Sequence, residues 1–296
     1  MIDINNIPEI LPFKDDYIFK AMLTRYDTGL IRNSMISAFT GLKIVSSEVA
    51  ENEPAADAVL LEKEVRFDVN CTTDDGTKVQ IEMQAHRMAN DTADNEHINL
   101  RVRSLYYMGK LFVGQRTKHY SDMDKAIQIM ICDYVVFDDD RFIHKFYYKD
   151  GDLVLSDYCS IIYVELPKIK KSISKPVDEM TDDERWAVFI EYVNDNKFKE
   201  KAHEFEAREE FKEAMESLSR VTQSDRDYNH YMSRLKYEMD KATEMHYAKE
   251  EGIQIGTTNT LIETAINFLR NGFAPADVAK GVKLPLADIE ALQKKL

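Results

Sequence analysis

The segment from Glu64 to Gln84, EVRFDVNCTTDDGTKVQIEMQ, restricts the fold most, because two strand patterns flank a tight-turn signal in it. Polar and apolar residues alternate on both sides of Asp74-Asp75-Gly76, which is typical of β-strands with two different faces. A two-residue turn at Asp75-Gly76 would mix the polar and apolar faces of the two strands. A three-residue turn with Gly76 in the left-handed conformation keeps the faces separate, and we predict that turn.

The predicted turn places two carboxylates opposite each other. It pairs Asp68 with Glu82, and Gln84 follows on the same face as Glu82. Like charges directly opposite on neighbouring strands are destabilising, whereas a divalent cation such as Mg²⁺ is commonly bound by one or two carboxylates. The alternative is that both side chains point into solvent, paired with Arg66 or Lys78. The hairpin by itself leaves both interpretations open.

Other segments near the hairpin predict a mixed α/β arrangement. Asp15–Leu42 has apolar residues at helical spacing and predicts one or two helices that end at Gly41. His97–Gln115 predicts another helix. Lys125–Phe137 is an almost continuous β-rich run, which is typical of a central strand covered on both faces. The segments RFIHKFYYKD and SIIYVELPK predict two further strands.

The composition changes at Thr181, where a Thr-x-x-Glu capping box opens a charged helical stretch. This stretch, up to Glu251, predicts solvated helices that pack along one stripe. The remaining residues, 252–296, predict three short helices, with the first break between helices at Asn271-Gly272. We therefore divide the chain into a core at 1–175, a charged helical extension at 176–251 and a small helical tail at 252–296. The tail has helix lengths like those of a helix-turn-helix, but its nearly balanced charges favour packing or oligomerisation over DNA contact.

Charge and cysteine use limit the classes of function. The net charge of −14 argues against general adhesion to nucleic acid, so any such contact has to be local. The start of the chain does not resemble a signal peptide, and no apolar run is long enough to cross a membrane. Cys71, Cys132 and Cys159 are isolated and predict free, buried thiols, which fit a cytoplasmic protein without membrane contact.

Several motifs occur in one order along the chain. KDDYIFKAML contains Asp16, Phe19 and Lys20, and the hairpin has the form Asp…Glu-x-Gln. RVRSLYYMGKLFVGQ, LPKIKK and the tail NFLRNGFAPADVAKGVKLPLADIEALQKK follow. This set resembles the PD-(D/E)xK nuclease superfamily in its Glu-x-Gln form, and the wider context resembles its recombination-promoting nuclease and transposase group. Glu-x-Gln alone is a weak signal, whereas the ordered set is fairly specific.

The resemblance implies a restriction-endonuclease-like core, which is a mixed β-sheet flanked by helices, with a C-terminal helical region. It implies that Asp68 and Glu82 bind Mg²⁺, with Mn²⁺ as a substitute, and that Asp16 is an additional acid. Gln84 stands where the superfamily usually has lysine, and an amide orients water by hydrogen bonds without adding positive charge. Two lysines are candidates for the missing charge: Lys20, one turn beyond Asp16, and Lys78, two pairs back toward the turn on the same face of the hairpin.

The helix after the hairpin provides a local basic patch, because the charged residues between positions 101 and 120 are all Lys or Arg. Arg103, Tyr107 and Lys110 share one helical face. We predict that these three residues contact substrate phosphate, since phosphate contacts position a nucleic acid. A solvated face with Tyr107 at its edge is the alternative. The residues predicted to lie in the core are Leu105, Met108 and Phe112.

The leading hypothesis is a metal-dependent DNA endonuclease that hydrolyses phosphodiester bonds in recombination or element mobility. The partner is then DNA, and a homodimer is left open because cutting both strands usually takes two sites. The alternative is a catalytically inactive binding module that keeps the nuclease fold, which the acidic charge and the missing lysine favour. No feature of the sequence separates DNA from RNA as the substrate.

Overall fold

Six strands form one mixed sheet in the computed structural model, which describes residues 10–50, 69–85, 97–115 and 117–296. The strands are β1 (Ser47–Val49), β2 (Val69–Thr73), β3 (Lys78–Gln84), β4 (Ala126–Cys132), β5 (Ile143–Asp150) and β6 (Leu153–Glu165). Their order is β1-β2-β3-β4-β6-β5. The central strands β3, β4 and β6 are parallel, and the remaining pairings are antiparallel. The predicted α/β fold with a mixed sheet is confirmed.

The β2–β3 hairpin has the predicted three-residue turn. Thr73 N–H donates to the carbonyl oxygen of Thr77 at 3.0 Å, and Gly76 between them has φ +87°. The described pairs extend from Thr72–Lys78 to Val69–Ile81. This register keeps the apolar residues on one face, as the turn requires. Asp68 lies outside the described residues, so its pairing with Glu82 stays a prediction.

The polar face of β3 is buried. The alternation of polar and apolar residues in the hairpin did not predict this, because a strand with one solvent-exposed face shows the same pattern. Gln80, Glu82 and Gln84 are at most 8% exposed, β3 pairs with β4 on its other side, and a helix that packs on β4 and β6 extends a side chain to Glu82. Every residue of β4 is buried too, as predicted for a central strand. The interpretation of Glu82 as a solvated side chain is therefore wrong.

This helix is α3 (Ile98–Val113). Its buried residues recur every three or four positions, and they pack over β4 and β6. Met108 is buried and Phe112 partly buried, as predicted. Leu105 was predicted to lie in the core, but it is 57% exposed, because the phase of the buried stripe turns it to solvent. The buried stripe consists of Leu100, Ser104, Met108 and Leu111.

Two helices precede the sheet, as predicted. They are α1 (Asp16–Thr24) and α2 (Gly29–Thr40), and α1 contacts β2 and β3. The side chain of Asp15 caps α1 by accepting hydrogen bonds from two backbone N–H groups. Gly41 ends α2 with φ +79°.

The segment after the sheet forms helices that pack on α1 and α2. These are α4 (Asp182–Tyr192), α5 (Asn196–Lys199), α6 (Ala202–Glu206) and α7 (Glu209–Gln223). The capping box predicted at Thr181 is confirmed, since both of its hydrogen bonds are present. Aromatic rings form the core between these helices, and they include Phe13, Trp186, Phe189, Phe198, Phe205 and Phe211.

The described residues up to Tyr231 belong to one compact unit, and Met232–Leu296 form a second. The last helices are α8 (Asp225–Arg270), α9 (Pro275–Val282) and α10 (Leu286–Gln293). The predicted break at Asn271-Gly272 is confirmed, and Gly272 has φ +84°. The first of the three short helices predicted from residue 252 onward is instead the end of the 46-residue α8.

Candidate active site

Glu82 is the centre of a buried polar cluster on β3. Its carboxylate is 2% exposed and accepts hydrogen bonds from three side chains. Gln80 Nε2 donates to Oε1 at 2.6 Å, and Gln84 Nε2 donates to Oε2 at 3.2 Å. Both amides come from the same strand, because residues two apart on a strand share a face.

Arg103 on α3 supplies the third hydrogen bond. Its Nη2 lies 2.8 Å from Glu82 Oε2, and its side chain is 27% exposed. The guanidinium carbon also lies 5.1 Å from the centre of the Tyr107 ring. The predicted basic face therefore exists on α3, but Arg103 contacts a carboxylate of the site. Lys110, predicted on the same face, lies with Nζ 5.1 Å from the ring centre of Tyr106.

The charge of Glu82 is only partly compensated. Burial raises the pKa of Glu82, and the negative charge of Asp16 adds to the rise. The charge and hydrogen bond of Arg103 and the hydrogen bond of Gln80 act in the opposite direction, but they do not cancel it. The surroundings thus disfavour the carboxylate form, and an additional positive charge beside Glu82 would favour it.

Asp16 stands at the first position of α1 and is close enough to Glu82 to act on its charge. The structure thus brings the predicted additional acid to the predicted metal ligand. Lys20, one turn later on α1, makes no ion pair with a described residue. The sequence also offered Lys78 as the partner of a solvent-exposed carboxylate. Its Nζ instead lies 3.5 Å from Oδ2 of Asp124. Asp68 lies outside the described residues.

A comparison with known protein families identifies the chain. The model of the PD-(D/E)XK nuclease family transposases matches residues 13–248, which include every described element from α1 to α7. The chain belongs to this family. Its mixed sheet with flanking helices agrees with the restriction-endonuclease-like fold that the sequence resemblance implied. Searches of the curated proteins and of the solved structures found no match.

The donor set around Glu82 suits a hard cation, since carboxylate oxygens are the ligands that Mg²⁺ prefers. In this PD-(D/E)XK family chain, Asp16 is the described acid whose charge acts on Glu82. Within residues 10–50, 69–85, 97–115 and 117–296, no group of three His, Cys, Asp or Glu side chains is arranged to hold a metal ion. The described residues thus provide part of a metal site. Whether the whole site can hold a metal ion depends on Asp68, which lies outside the described residues.

Lys14 is a charged residue of the site region that the sequence analysis missed. Its Nζ lies 3.0 Å from Asp133 and 3.2 Å from Glu191, and Asp133 N–H donates to the carbonyl oxygen of Gln84 at 3.0 Å. Burial alone lowers the pKa of Lys14, but the hydrogen bonds and charges of Asp133 and Glu191 raise it above its ordinary value. The signal was present in the sequence, because Lys14 directly precedes the two acids of KDDYIF.

Two buried amides were missed as well. Gln80 and Gln128 are fully buried and face each other across the parallel strands β3 and β4. In the sequence, Gln128 is the single strongly polar residue of the strand AIQIMIC. A polar residue in a strand predicted to be buried on both faces needs a partner, and this is the signal that could have found it.

One further finding concerns membranes. None of the helices in the described ranges combines the length and the apolar composition that a membrane span needs.

Proposed function

We propose that this chain is a metal-dependent endodeoxyribonuclease that hydrolyses backbone phosphodiester bonds. The observation that carries the proposal is the buried carboxylate of Glu82, whose three hydrogen-bond donors do not offset its desolvation. A structural carboxylate in a sheet interior would cost stability unless it were fully paired. A partly compensated one, in a member of a nuclease family, is what a cation-binding site requires.

The proposed cation ligands are Asp68 and Glu82, with Asp16 as the additional acid. The four described pairs of the hairpin end at Val69–Ile81, and Asp68 and Glu82 are the next residues in this register. We therefore infer that Asp68 faces Glu82. A bound Mg²⁺, or Mn²⁺ in its place, would lower the pKa of a coordinated water and stabilise negative charge on the scissile phosphate.

The chain's own side chains would bind and orient the substrate. Gln84, which is 8% exposed beside Glu82, can position the attacking water through its amide. Arg103 is the proposed phosphate contact, because a guanidinium matches two phosphate oxygens and its partial exposure lets it turn outward. Tyr107 and Lys110 on α3 and Lys20 on α1 are proposed to contact the neighbouring backbone.

DNA is the proposed partner in spite of the acidic total charge. Arg103 and Lys110 on α3 are the proposed local positive contacts for a phosphate backbone, since phosphate contacts supply much of the affinity for nucleic acid. A second copy of the chain is proposed where both strands are cut. Recombination or element mobility is the proposed context, and the cytoplasm is the proposed location.

A binding module without activity is the second candidate, and one observation favours it. Arg103 donates to Glu82 at 2.8 Å, on the oxygen that a cation would need, and Gln84 brings no positive charge. In that case the guanidinium would take the place of the cation permanently. The two candidates predict different results in one assay.

The test is nicking of supercoiled plasmid by the full chain in Mg²⁺, in Mn²⁺ and in EDTA. We expect nicking with either ion, none in EDTA, and loss of nicking in Asp68→Ala and Glu82→Ala. Asp157→Ala is the matched control, because Asp157 is an exposed carboxylate paired with Lys125 and should not affect nicking. Nicking that persists in a folded Glu82→Ala protein would refute the site, and absence of nicking in every buffer would favour the binding module. A labelled RNA of the same sequence tests the substrate class.

A further inference from the structure

The face of α3 opposite its buried stripe is apolar and exposed to solvent. Every side chain on it is between 49% and 78% exposed, and Asn99 at its edge is the one exposed polar residue of this helix. A surface helix normally presents charged residues on this side, so an apolar face marks an interaction site. We call it the outer face of α3, and it consists of Ile98, Val102, Leu105, Tyr106, Gly109 and Val113.

The positions of these residues are symmetric about the point midway between Leu105 and Tyr106. Counted outward from that point, Val102 corresponds to Gly109, and Ile98 corresponds to Val113. An antiparallel second copy of the helix, centred on the same point, therefore sets each residue of the outer face against another residue of the outer face. A two-fold symmetric contact requires such self-complementarity, because both copies contribute the same surface.

Gly109 provides room for a close approach in this pair. A Cβ added to it would meet no atom within 4 Å, and its φ is not positive, so neither packing nor backbone conformation requires glycine there. Glycine in a helix interior reduces stability, but it lets another chain come close to the backbone. In the antiparallel pair Gly109 lies opposite Val102, whose branched side chain fits into the space that the glycine leaves.

The size of the outer face fits a dimer contact. Burying it in two copies would remove on the order of 1,000 Å² from solvent, which is where the sizes of specific interfaces begin. Its composition fits as well, since the centre of a dimer interface is more apolar than the rest of a protein surface.

The charged residues of α3 lie beside the outer face and leave the contact itself apolar. With about 3.6 residues per turn, Arg103 and Lys110 are on one flank and Arg101 is on the other. Arg103 pairs with Glu82 at 2.8 Å, and the guanidinium carbon of Arg101 lies 4.7 Å from the ring centre of Phe137. The two-fold axis of an antiparallel pair keeps each flank on its own side. Arg103 and Lys110 of both copies therefore face the same surface.

We propose that the outer face of α3 is the contact between two copies of this chain, which pack α3 against α3 in antiparallel orientation. The pair joins two basic flanks into one longer basic surface. This inference deepens the proposed function, because it names the contact that the second copy uses and the surface along which a DNA backbone would lie.

The first test is sedimentation velocity of the full chain at micromolar concentration in EDTA, without nucleic acid. We expect a dimer for the wild type. Val102→Glu should raise the dimer dissociation constant at least about a hundredfold, because it places a carboxylate in the apolar contact twice. Val154→Glu is the matched control, since Val154 on β6 is 58% exposed and Val102 is 57% exposed, and it should leave the dimer intact. Added salt should not dissociate the wild type, because the contact is apolar and salt screens the like charges of the flanks.

The second test determines the orientation of the two helices. A short bismaleimide should cross-link Ile98→Cys to Val113→Cys when the two variants are mixed, because the antiparallel pair places these positions opposite each other. Either variant alone should give no more cross-linked product than the wild type, whose own three cysteines provide the background. Parallel helices would give the reverse result, with each variant cross-linked to itself.

The outcomes separate this inference from the proposed function. A monomeric wild type overturns the interface, and so does a folded Val102→Glu protein that remains a dimer. Dissociation by Val154→Glu in place of Val102→Glu would assign the contact to the sheet and overturn it as well. Cross-linking of the single variants to themselves overturns the shared basic surface. Because neither test uses metal or DNA, a dimer that fails to nick plasmid would refute the nuclease and leave the interface standing, and nicking by a monomer would do the opposite.

Discussion

Replacing Arg103 with methionine should lower the free energy of unfolding in metal-free buffer, and divalent cations should restore part of the loss. Methionine keeps much of the side-chain length but removes the charge beside Glu82, which is 2% exposed. Removing one partner of a buried ion pair typically costs about 3–5 kcal/mol. Because Arg103 is 27% exposed and two amides still donate to Glu82, we expect a smaller loss, about 2 kcal/mol.

The cation dependence follows from the geometry. Arg103 Nη2 and Gln84 Nε2 both donate to Oε2 of Glu82, so a cation that binds this oxygen competes with the guanidinium for it. If Mg²⁺ binds the variant with a dissociation constant of about 1 mM, then about 10 mM Mg²⁺ stabilises the folded state by ~1.4 kcal/mol. The wild type should gain less, because its own Arg103 has to be displaced.

The assay is urea unfolding followed by tryptophan fluorescence, with EDTA or Mg²⁺. Trp186 is the single tryptophan of the chain and is 1% exposed, so it reports on the unit that contains the site. Arg141→Met is the control, since Arg141 pairs with Asp139 at the surface and is 71% exposed. Equal stabilisation of wild type and Arg103→Met by Mg²⁺ would refute the competition, and a loss below about 0.5 kcal/mol in EDTA would refute the importance of the ion pair.

Three further results are expected. Gly76→Ala should lose about 1–2 kcal/mol in the same urea assay, because φ +87° is strained for a residue with a Cβ. Burial raises the pKa of Glu82 above its ordinary 4.5, so the stability that protonated Glu82 contributes is lost as pH rises through the raised value. Glu82→Gln, which does not titrate there, should therefore gain stability over the wild type across that interval in thermal melts. Burial raises the pKa of Cys71 to about 11 and that of Cys132 further, so at pH 8 a disulfide reagent should modify only Cys159 in the folded protein.

Each of these has a result that would contradict it. An unchanged midpoint for Gly76→Ala would mean that the turn relaxes. A constant stability difference between Glu82→Gln and the wild type from pH 4 to pH 8 would mean that the environment of Glu82 does not oppose its ionisation. Rapid modification of all three thiols without urea would mean that the sheet opens readily.

The turn of the hairpin could be predicted from the sequence because one residue of register decides which face every side chain occupies. Only the three-residue turn ending at Gly76 keeps Val79 and Ile81 with the apolar residues of β2, and the structure has that turn. The same logic located α3 and the buried strand β4, since continuous apolar runs and helical spacing are strong signals.

The environment of the site could not be predicted in the same way. Alternation along β3 does not reveal whether its polar face is buried, because that depends on the neighbouring strand β4 and on helices elsewhere in the chain. The contact between Glu82 and Arg103 joins residues on two elements, and no spacing rule encodes it. The exposure of Leu105 has the same origin, because the phase of α3 on the sheet is set by packing.

Glu82 stands on β3, which lies between β2 and β4 in the order of the sheet and pairs with β4 at Glu82 itself. Amide protons of such strands exchange with solvent only when the whole unit opens, so β3 and β4 should be among the slowest segments in hydrogen exchange. Of the side chains that donate to Glu82, Arg103 is the most exposed and therefore has the most freedom to turn.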